Sequence, residues 1–581
     1  MVKRPLDREF YFFKMKKLIT LIFALIFAWA CTPEKDVTDN GGIVNPSEGV
    51  TVRGVVHGEG SKVIPGVIVS DGLLCVKTDE KGYFEMKSDL SRTRFITASI
   101  PSGYSAPVDE NGLPIFYHRV TDEERTRGLV QHSFEFYPIN NNPDRYTLLV
   151  GADPQPRPKT SAYDRIAYHS LDICDDLYRD MREKAATITD RKVYGLMLGD
   201  IVHESMPLFD NYVEALKTIG FPIFNVIGNH DNDKTAANDT EGRRCFEEKL
   251  GPAYYSINIG KWHIVVLDNL IMKLNEEGLL TSYDHGLTDE IWQWLQNDLS
   301  FIDRSTKIMV AAHAPMFMRH TLFDSSTVTT GGNRSKYGEL FCEFDEVHAW
   351  AGHTHINFNY VYPRTSDRKG INVHTLARST GDGWTNEWCS EGVPRGYTVV
   401  EVDGENISWH FKPTVYQQSS FTGQTSVQPE YKHRDWYYDA DGVARMKKDN
   451  SILDESYQMK LFAPGEYYKS FADAQSGNEV NREIEYVYAD IFLWDEAWKI
   501  PEYNGAPMER VNKKEAYSLL DFEIKSHYYK YGYLLTNNSS YCPSDNETFT
   551  VFRAKDSRKN GTGTVKVTDR FGKEYQQTIT W

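Results

Sequence analysis

Nine polar side chains that could bind metal ions or move protons stand in five short clusters, each directly after an apolar run. They are Asp153 and Gln155, Asp200, Asn229 with His230 and Asp231, His313, and His353 with His355. Glycines beside these clusters let the backbone turn sharply, so side chains from separate strands can converge on one point. Oxygen and imidazole ligands suit borderline divalent metals, and two such ions about 3.5–4 Å apart need a set of this kind with one bridging carboxylate.

Taken singly, these clusters carry little information. A lone Asp-x-Gln or Gly-Asp is usually a turn, and a lone buried histidine is usually a satisfied core residue. The segments Gly-Asn-His-Asp and Gly-His-Thr-His are more specific. All five clusters follow one another within about 200 residues, which favours a functional site over a set of unrelated turns.

The apolar runs before the clusters alternate with helical stretches. Strands are predicted at residues 146–150, 193–198, 223–227, 264–267 and 308–312, and helices near 164–187, 208–218 and 287–300. Alternating strands and helices predict an α/β layered core. In such sheets ligands gather at the carboxyl ends of the strands, where the clusters stand.

The flanking segments have a different rhythm. Residues 50–140 show alternating runs and Asp-Gly turns, which predict a small antiparallel β-sandwich similar to the carboxypeptidase-regulatory type. Strands return in a C-terminal β-rich domain predicted over residues 385–581, for example at residues 397–402 and 407–411. Within it, the polar, Gln- and Tyr-rich segment 413–457 is predicted to be a linker.

Residues 145–378 resemble the calcineurin-like metallophosphoesterases, whose pattern is D-x-H, G-D, G-N-H-D/E, H and G-H-x-H. The whole arrangement is similar to a bacterial exported subgroup with an N-terminal β-sandwich and a C-terminal β-domain; Trp384 and residues 392–394 and 567–572 match it. The resemblance implies a four-layer α/β/β/α core and a metal-dependent phosphoric ester hydrolase, either a phosphatase or a phosphodiesterase.

The resemblance also implies roles for the clustered residues. Asp153 and His355 would hold a first divalent metal ion, Asn229, His313 and His353 a second, and Asp200 would bridge the two. Gln155 stands where the family usually has histidine. Its carbonyl oxygen is a weaker ligand than imidazole, so the first site should be looser and favour Mn²⁺ or Mg²⁺ over Fe³⁺ or Zn²⁺. The tyrosine of purple acid phosphatases is absent, so no iron-tyrosinate centre is expected.

The expected mechanism follows from charge. A water that bridges two divalent ions loses its proton near neutral pH and attacks the phosphorus atom, while the metals hold the phosphoryl oxygens. His230 is expected to face the leaving group and protonate its oxygen, and Asp231 to orient that imidazole. His203 and His320 are interpreted equally as cleft or packing residues, and Arg319 as a phosphate ligand or an exposed arginine.

Aromatic residues beyond the core allow two interpretations. A flat platform for a sugar or a lipid headgroup would use their faces, whereas packing between β-domains would bury them. The residues concerned are Trp384, Trp388, Trp436, Tyr437 and Tyr438.

Length and charge exclude other classes. The chain has 581 residues, which predicts several domains, and its 65 Lys and Arg against 82 Asp and Glu give a net charge of −17. A surface of this charge repels phosphates, so no nucleic-acid platform is expected.

The N-terminus carries a predicted export signal over residues 1–31, with Met15 as the expected start. Its apolar stretch, residues 18–30, has 13 residues, fewer than the roughly 20 of a spanning helix. The sequence before Cys31 resembles a lipoprotein processing box, although Ala28 replaces the usual leucine. We therefore expect an exported protein anchored in the bacterial envelope by lipid on Cys31, followed by a polar tether over residues 32–49; simple secretion is the alternative.

Two function classes stay open. The first is a phosphoesterase acting on a small molecule, glycan or lipid headgroup, with either a monoester or a diester as substrate. The second is a surface glycan-binding protein whose catalytic core has decayed. The complete ligand set favours the enzyme, because decay normally removes a histidine or an aspartate early. Disulfides and oligomeric state stay open as well.

Overall fold

The computed structural model describes residues 47–158, 170–321, 324–329, 334–362, 370–381, 389, 393–414, 455–464, 485–511 and 550–581, with short strands at 38–39, 42–43, 436–438 and 444–446. The predicted export signal with Cys31, and Trp384 and Trp388, lie outside the described residues. Among the described residues, no helix is long and apolar enough to span a membrane. The five cysteines in this part of the chain are free thiols.

Two central β-sheets and a hairpin beside them form the core. We number their strands in chain order as β1 (Arg145–Gly151), β2 (Lys192–Met197), β3 (Ile223–Asn225), β4 (Tyr255–Ile259), β5 (Trp262–Leu267), β6 (Leu270–Leu274), β7 (Leu280–His285), β8 (Lys307–Ala312), β9 (Glu346–Ala351), β10 (Phe358–Tyr362), β11 (Ile371–Thr375), β12 (Gly396–Asp403) and β13 (Asn406–Pro413). The first sheet has the order β3-β2-β1-β12-β13 and the second β4-β5-β8-β9-β11-β10. Strands β1 to β3 are parallel, and so are β5, β8, β9 and β11.

Helices cover the sheets because the strands are buried on both faces. The helices of the core are α1 (Ser170–Thr187), α2 (Phe209–Ile219), α3 (Asp239–Gly242), α4 (Arg244–Leu250), α5 (Asp289–Ser300) and α6 (Arg334–Phe341). Along β1, Leu148 and Val150 join the same apolar cluster as the second sheet, whereas Leu149 packs with Leu177 of α1 and Leu216 of α2. Successive strand residues point to opposite faces, so β1 has a sheet on one side and helices on the other. The predicted α/β core is confirmed.

Strands β12 and β13 complete the first sheet. Strand β12 lies antiparallel beside β1 from Arg145 to Val150, and β13 pairs with β12. The alternation of apolar residues predicted strands here but did not indicate that they pair with β1. The segment that was predicted to begin the C-terminal domain is therefore also part of the core sheet.

The N-terminal domain is a β-sandwich of two four-stranded sheets. One sheet is antiparallel and contains Ile68–Ser70, Cys75–Lys77, Phe95–Ala98 and Tyr117–Arg119. In the other, Val52–His57 pairs antiparallel with Tyr83–Met86 but parallel with Val130–Gln131 and Phe134–Glu135. The prediction of a purely antiparallel sandwich is wrong here because a capped helix, Asp122–Arg127, carries the chain across before these last strands.

The C-terminal region is rich in strands, as predicted, and forms two further four-stranded sheets. Their strands are Met459–Phe462, Tyr486–Ile491, Glu502–Tyr503, Ala506–Pro507, Glu509–Arg510, Val551–Lys555, Thr562–Thr568 and Glu574–Thr580.

A cluster of rings joins this region to the second core sheet. The rings of His348 of β9 and His374 of β11 lie side by side and nearly coplanar, with their centroids 5.1 Å apart, and Trp350 stacks on His374 at 4.0 Å. Trp409 of β13 packs edge-on against both His374 and Phe571 of the C-terminal region. This ring cluster connects the buried rings of the core to Phe571, a partly exposed side chain of the C-terminal region.

Candidate metal centre

Five of the predicted ligands stand just beyond parallel core strands. Asp153 follows β1, Asp200 follows β2, Asn229 follows β3, His313 follows β8 and His353 follows β9. Parallel strands of one sheet place their carboxyl ends at the same edge. The two sheets therefore bring these side chains to one place, although up to 200 residues separate them along the chain.

The backbone at this edge is strained. Left-handed φ angles of 53°, 43°, 51°, 68° and 60° occur at Asp153, Gln155, Asp200, His353 and His355. For a residue with a side chain, such a conformation costs on the order of 1–3 kcal/mol, and it persists only where the surroundings hold it. The rigid sheets supply that support, and strain of this kind is typical of functional sites.

Two glycines let the loops approach one another. A Cβ atom at Gly228 would overlap the carboxylate of Asp200, and a Cβ atom at Gly352 would overlap that of Asp153. Any larger residue would therefore displace a carboxylate. The glycines that precede the Asn229 and His353 clusters thus have a steric reason in the folded chain.

Two carboxylates and three imidazoles face one another in the centre. His313 Nε2 lies 3.3 Å from Asp200 Oδ2 and 3.9 Å from Asp153 Oδ1. His355 Nε2 lies 3.4 Å from Asp153 Oδ1, and His353 Nδ1 lies 3.2 Å from His313 Nε2. Asp153, Asp200 and His313 are all buried. The structure thus brings together the predicted carboxylate and imidazole ligands.

The electrostatics of the centre suit a cation. Burial opposes a charge on the His313 imidazole, but the Asp200 and Asp153 carboxylates outweigh it and raise the pKa of His313 to about 10. Burial also opposes ionisation of Asp200, yet His313 and His230 hold its pKa well below the usual value. Burial and the neighbouring His313 lower the pKa of His353 to about 3. The carboxylates thus attract positive charge, which a divalent ion supplies more fully than a proton.

An unpaired amide oxygen supports the same conclusion. Asn229 Oδ1 is buried and accepts no hydrogen bond within the described part of the chain. Buried acceptors normally have a partner, and a metal ion is one that an amide oxygen can take. Together with two carboxylates and three imidazoles, this oxygen completes a donor set that fits two divalent ions.

Gln155 departs from its predicted role. Its Oε1 accepts a hydrogen bond of 2.6 Å from Arg378 Nη2. Its Nε2 donates to Asp200 Oδ2 and lies 3.4 Å from His355 Nε2. The oxygen predicted as a metal ligand therefore faces Arg378, because a guanidinium is the stronger partner for an amide oxygen.

His230 lies at the rim of the centre, with its side chain 24% exposed. Its Nδ1 lies 2.9 Å from Glu204 Oε1, and its carbonyl oxygen accepts a hydrogen bond from the Glu204 backbone N–H. Asp231 instead accepts hydrogen bonds from the backbone N–H groups of Val202 and Gly228, at 2.9 and 2.8 Å. This corrects the predicted role of Asp231: neighbouring side chains on a tight turn point in different directions, so Asp231 ties two loops together while Glu204 orients the imidazole.

Further residues of the rim were not identified from the sequence. Lys234 Nζ pairs with Glu204, and Arg157 contacts His203 Nε2. His203 stacks on His230, with ring centroids 4.1 Å apart, which favours the cleft interpretation of this histidine. The one available signal was the position of Glu204, four residues after Asp200 in the same loop.

The hairpin β6–β7 reaches the other side of the centre. Tyr283 Oη and His285 Nε2 each lie 3.4 Å from His353 Nε2. His353 thus has Nδ1 toward the centre and Nε2 toward the hairpin, an arrangement that fixes the orientation of a ligand ring. No sequence motif marks either hairpin residue.

The side chains of five residues that were predicted to line the cleft or form a platform lie outside the described part of the chain. Arg319 and His320 belong to a described strand, Met318–Thr321, but their side chains are outside the described part, as are those of Trp436, Tyr437 and Tyr438.

Comparison with known families gives three matches in chain order. Residues 50–136 match the N terminal of Calcineurin-like phosphoesterase, residues 146–357 match Calcineurin-like phosphoesterase, and residues 377–575 match the C terminal of Calcineurin-like phosphoesterase. The chain is a calcineurin-like metallophosphoesterase. The flanking domains of this metallophosphoesterase match models of the same family, and these matches agree with the predicted class, a phosphoric ester hydrolase.

Individual relatives are more distant. The metallophosphoesterase is 27% identical over 192 residues to the Arabidopsis thaliana protein named probable purple acid phosphatase 20, a match that covers 30% of this chain and 42% of that protein. The chain thus matches less than half the length of this relative.

Two solved structures are similar at low identity. A purple acid phosphatase from yellow lupin (Lupinus luteus) seeds has 12% identity and a TM-score of 0.34, over 61% of this chain and 68% of that one. The phosphopantetheinyl hydrolase from Mycobacterium tuberculosis has 14% identity and a TM-score of 0.24, over 40% of this chain and 90% of that one.

Proposed function

We propose that this metallophosphoesterase hydrolyses phosphate esters at a centre of two divalent metal ions. The observation that carries the proposal is the buried group of Asp153, Asp200 and His313, whose ligand atoms all lie within 4.8 Å of one another. When bound, a metal pair supplies Lewis acidity and an activated water. The protein supplies the donors, the rigid sheet edges that hold them and an open rim for the substrate.

The distances suggest how the donors divide. Asp153 and His355 would hold one ion, because their ligand atoms lie side by side. His313 and His353, whose ring nitrogens face each other, would hold the second ion with Asn229. Asp200 lies against His313 and against the amide of Gln155, whose nitrogen also lies 3.4 Å from His355 Nε2, and these contacts support the assignment of Asp200 as the bridging residue.

We assign His230 the transfer of a proton to the leaving-group oxygen. Its Nδ1 is occupied by Glu204, so Nε2 is the atom that faces the cleft, 4.0 Å from Asp200 Oδ2. Burial opposes ionisation of Glu204, but hydrogen bonds from His230 and Lys234 outweigh it and lower the pKa of Glu204 to about 2. The ionised carboxylate stabilises the protonated imidazole, which is the form that donates a proton.

Hydrolysis assays on the purified full chain test this proposal. The protein is stripped of metal, supplied with Mn²⁺, Mg²⁺, Zn²⁺ or Fe²⁺ in turn, and offered p-nitrophenyl phosphate and bis-p-nitrophenyl phosphate. We expect release of p-nitrophenol that depends on the metal, and a preference between the two esters would assign monoesterase or diesterase chemistry. Two metal ions bound per chain with no hydrolysis of either ester would instead support the glycan-binding alternative.

We further propose that the enzyme is exported and anchored by lipid on Cys31. The apolar stretch of 13 residues that ends in small residues directly before Cys31 supports this proposal, as does the polar segment that follows. Replacing Cys31 with Ser should move the protein from the membrane fraction to the soluble exported fraction. Membrane association that is unchanged in this variant would reject the lipid anchor.

A further inference from the structure

Arg378 is a fixed positive charge at the edge of the metal centre. It follows β11, it is 3% exposed, and its guanidinium reaches the centre through the side chain of Gln155. Gln155 is likewise buried, at 1% exposure. A guanidinium does not lose its proton in proteins, so this charge and its hydrogen bond to the amide persist at any working pH.

The contacts of Gln155 determine which way its amide points. With Oε1 toward Arg378 and Nε2 toward Asp200, each donor meets an acceptor. The opposite orientation would set the amide N–H₂ against the guanidinium N–H groups, and the amide oxygen against a carboxylate. Both of those contacts are repulsive, so the hydrogen-bond network assigns the first orientation.

We propose that Gln155 is a positioning residue for Asp200 and not a metal ligand, and that Arg378 sets it in that role. The inference rests on the dinuclear centre proposed above. Its consequence is an unequal pair: Asn229, His313 and His353 serve one ion, whereas Asp153 and His355 alone, with the bridging Asp200, serve the other. We call these the strong and weak subsites.

The subsites are first told apart by metal binding. Mn²⁺ is titrated into the metal-stripped full chain, and free Mn²⁺ is measured by electron paramagnetic resonance. Two ions should bind with dissociation constants that differ by about tenfold or more. The variant Asn229→Ala should weaken the tighter class, and His355→Ala the looser class. Two equal classes in the unaltered chain would overturn the unequal pair.

Substitution of Gln155 separates ligand from positioning residue. The variant Gln155→Met keeps the side-chain length without an amide, and it should leave the weak-subsite affinity within about threefold. The variant Gln155→His supplies an imidazole and should tighten that subsite by about tenfold or more. Loss of about tenfold or more in Gln155→Met would show that the amide oxygen is a ligand and would reject the proposal.

A double-mutant cycle tests the part played by Arg378. In Arg378→Met the amide of Gln155 loses its guanidinium partner and can turn its oxygen toward the metal. The Mn²⁺ affinity of the weak subsite should then rise by about fivefold or more, in addition to the effect of the lost charge. The double variant with Gln155→Met shows the charge effect alone, because no amide remains. Equal tightening in the single and double variants would mean that Arg378 acts only by charge.

Controls keep these outcomes separate from misfolding and from failure of the enzyme assignment. Gln458, also 1% exposed, bonds the backbone of Phe411 on β13, the edge strand of the first sheet, so Gln458→Met should lower the unfolding temperature without changing either Mn²⁺ affinity. Each variant is compared with the unaltered chain by circular dichroism.

Two outcomes distinguish the proposals. If the unaltered chain binds no Mn²⁺ and hydrolyses no ester, the proposed function fails. If it binds two ions and Gln155→Met weakens the binding of one of them, only the present inference fails.

Discussion

Two buried groups of histidines lie on or beside β9, and they have opposite chemistry. In the metal centre, His313 lies against two carboxylates at strand ends. In the ring cluster, His348 and His374 lie within strands and bond to each other, Nδ1 to Nε2, at 2.9 Å. Aromatic rings cover His374, and burial lowers its pKa well below the usual value, whereas the pKa of His313 is raised to about 10.

The difference shows that burial does not decide what a histidine does. Burial opposes the charge on His313 and His374 alike. Carboxylates that reach His313 from strained loops reverse the outcome and create a place for cations. Burial, with His348 and Arg570 nearby, leaves the imidazole of His374 neutral, and its hydrogen bonds join the strands β9, β10 and β11.

The largest effect is expected when Asp200, a carboxylate that faces His313, is replaced. Replacing it with Asn removes the negative charge between the two metal subsites, so we expect turnover of a p-nitrophenyl ester to fall by about 1,000-fold or more and bound metal to fall below two ions per chain. Elemental analysis and steady-state kinetics measure both. Full turnover with two metal ions bound would show that the metal centre does not depend on this carboxylate.

A smaller loss is expected when the contact to His230 is removed. In Glu204→Gln the imidazole keeps a hydrogen-bond partner but loses the charge that stabilises its protonated form, so turnover should fall by about 10- to 100-fold. The alkaline limb of the pH–rate profile should move to lower pH, while metal content stays at two ions. In Asp231→Asn, by contrast, the alkaline limb should not move, because Asp231 bonds backbone groups.

In the ring cluster, His374→Phe should affect stability and not activity. Phenylalanine keeps the stacking but leaves His348 Nδ1 and Asn359 Oδ1 without their partner, since both bond His374 at 2.9 Å. Each unsatisfied buried group costs about 1–3 kcal/mol, so the free energy of unfolding should fall by about 2–5 kcal/mol in urea. Turnover per folded molecule should stay within about twofold; a large drop would place the ring cluster in the catalytic machinery.

Buried carboxylates extend the comparison. Asp490 is as buried as Asp200, but among the described residues its polar partners are the Thr550 hydroxyl and the charge of Lys460, so burial raises its pKa to about 7. The folded chain therefore holds this proton more tightly than the unfolded chain does. Its stabilising contribution is complete below about pH 4 and is lost as the pH rises through about 7.

The variant Asp490→Asn should therefore remove part of the pH dependence of stability, by about 1–2 kcal/mol between pH 5 and 7 in urea unfolding. An unaltered slope in Asp490→Asn would show that this carboxyl titrates normally in the folded chain.

The layered core and most of the centre could be predicted because local signals coincide there. Apolar runs predict the strands, and Asp153, Asp200, Asn229, His313 and His353 each stand where a strand stops. What could not be predicted depends on contacts between distant segments. The orientation of Gln155 is set by Arg378, 223 residues later, and the partner of His230 is Glu204 and not the adjacent Asp231.

The contact of the hairpin residues Tyr283 and His285 with His353 was not predicted, for a related reason. They alternate with polar neighbours on β7, a pattern that indicates a strand but not which side chain approaches the centre. An alternating pattern also does not show which strands pair with each other. It predicted β12 as a strand, but only the structure shows that β12 lies beside β1.

The pairing of β12 with β1 also constrains the order of events during synthesis. Strand β1 leaves the ribosome about 250 residues before β12 does, a delay of about 12–50 s at 5–20 residues per second. Until then one edge of this apolar strand has unpaired N–H and C=O groups, which invite pairing with another nascent chain. That edge is where a chaperone is expected to bind while the chain is being made.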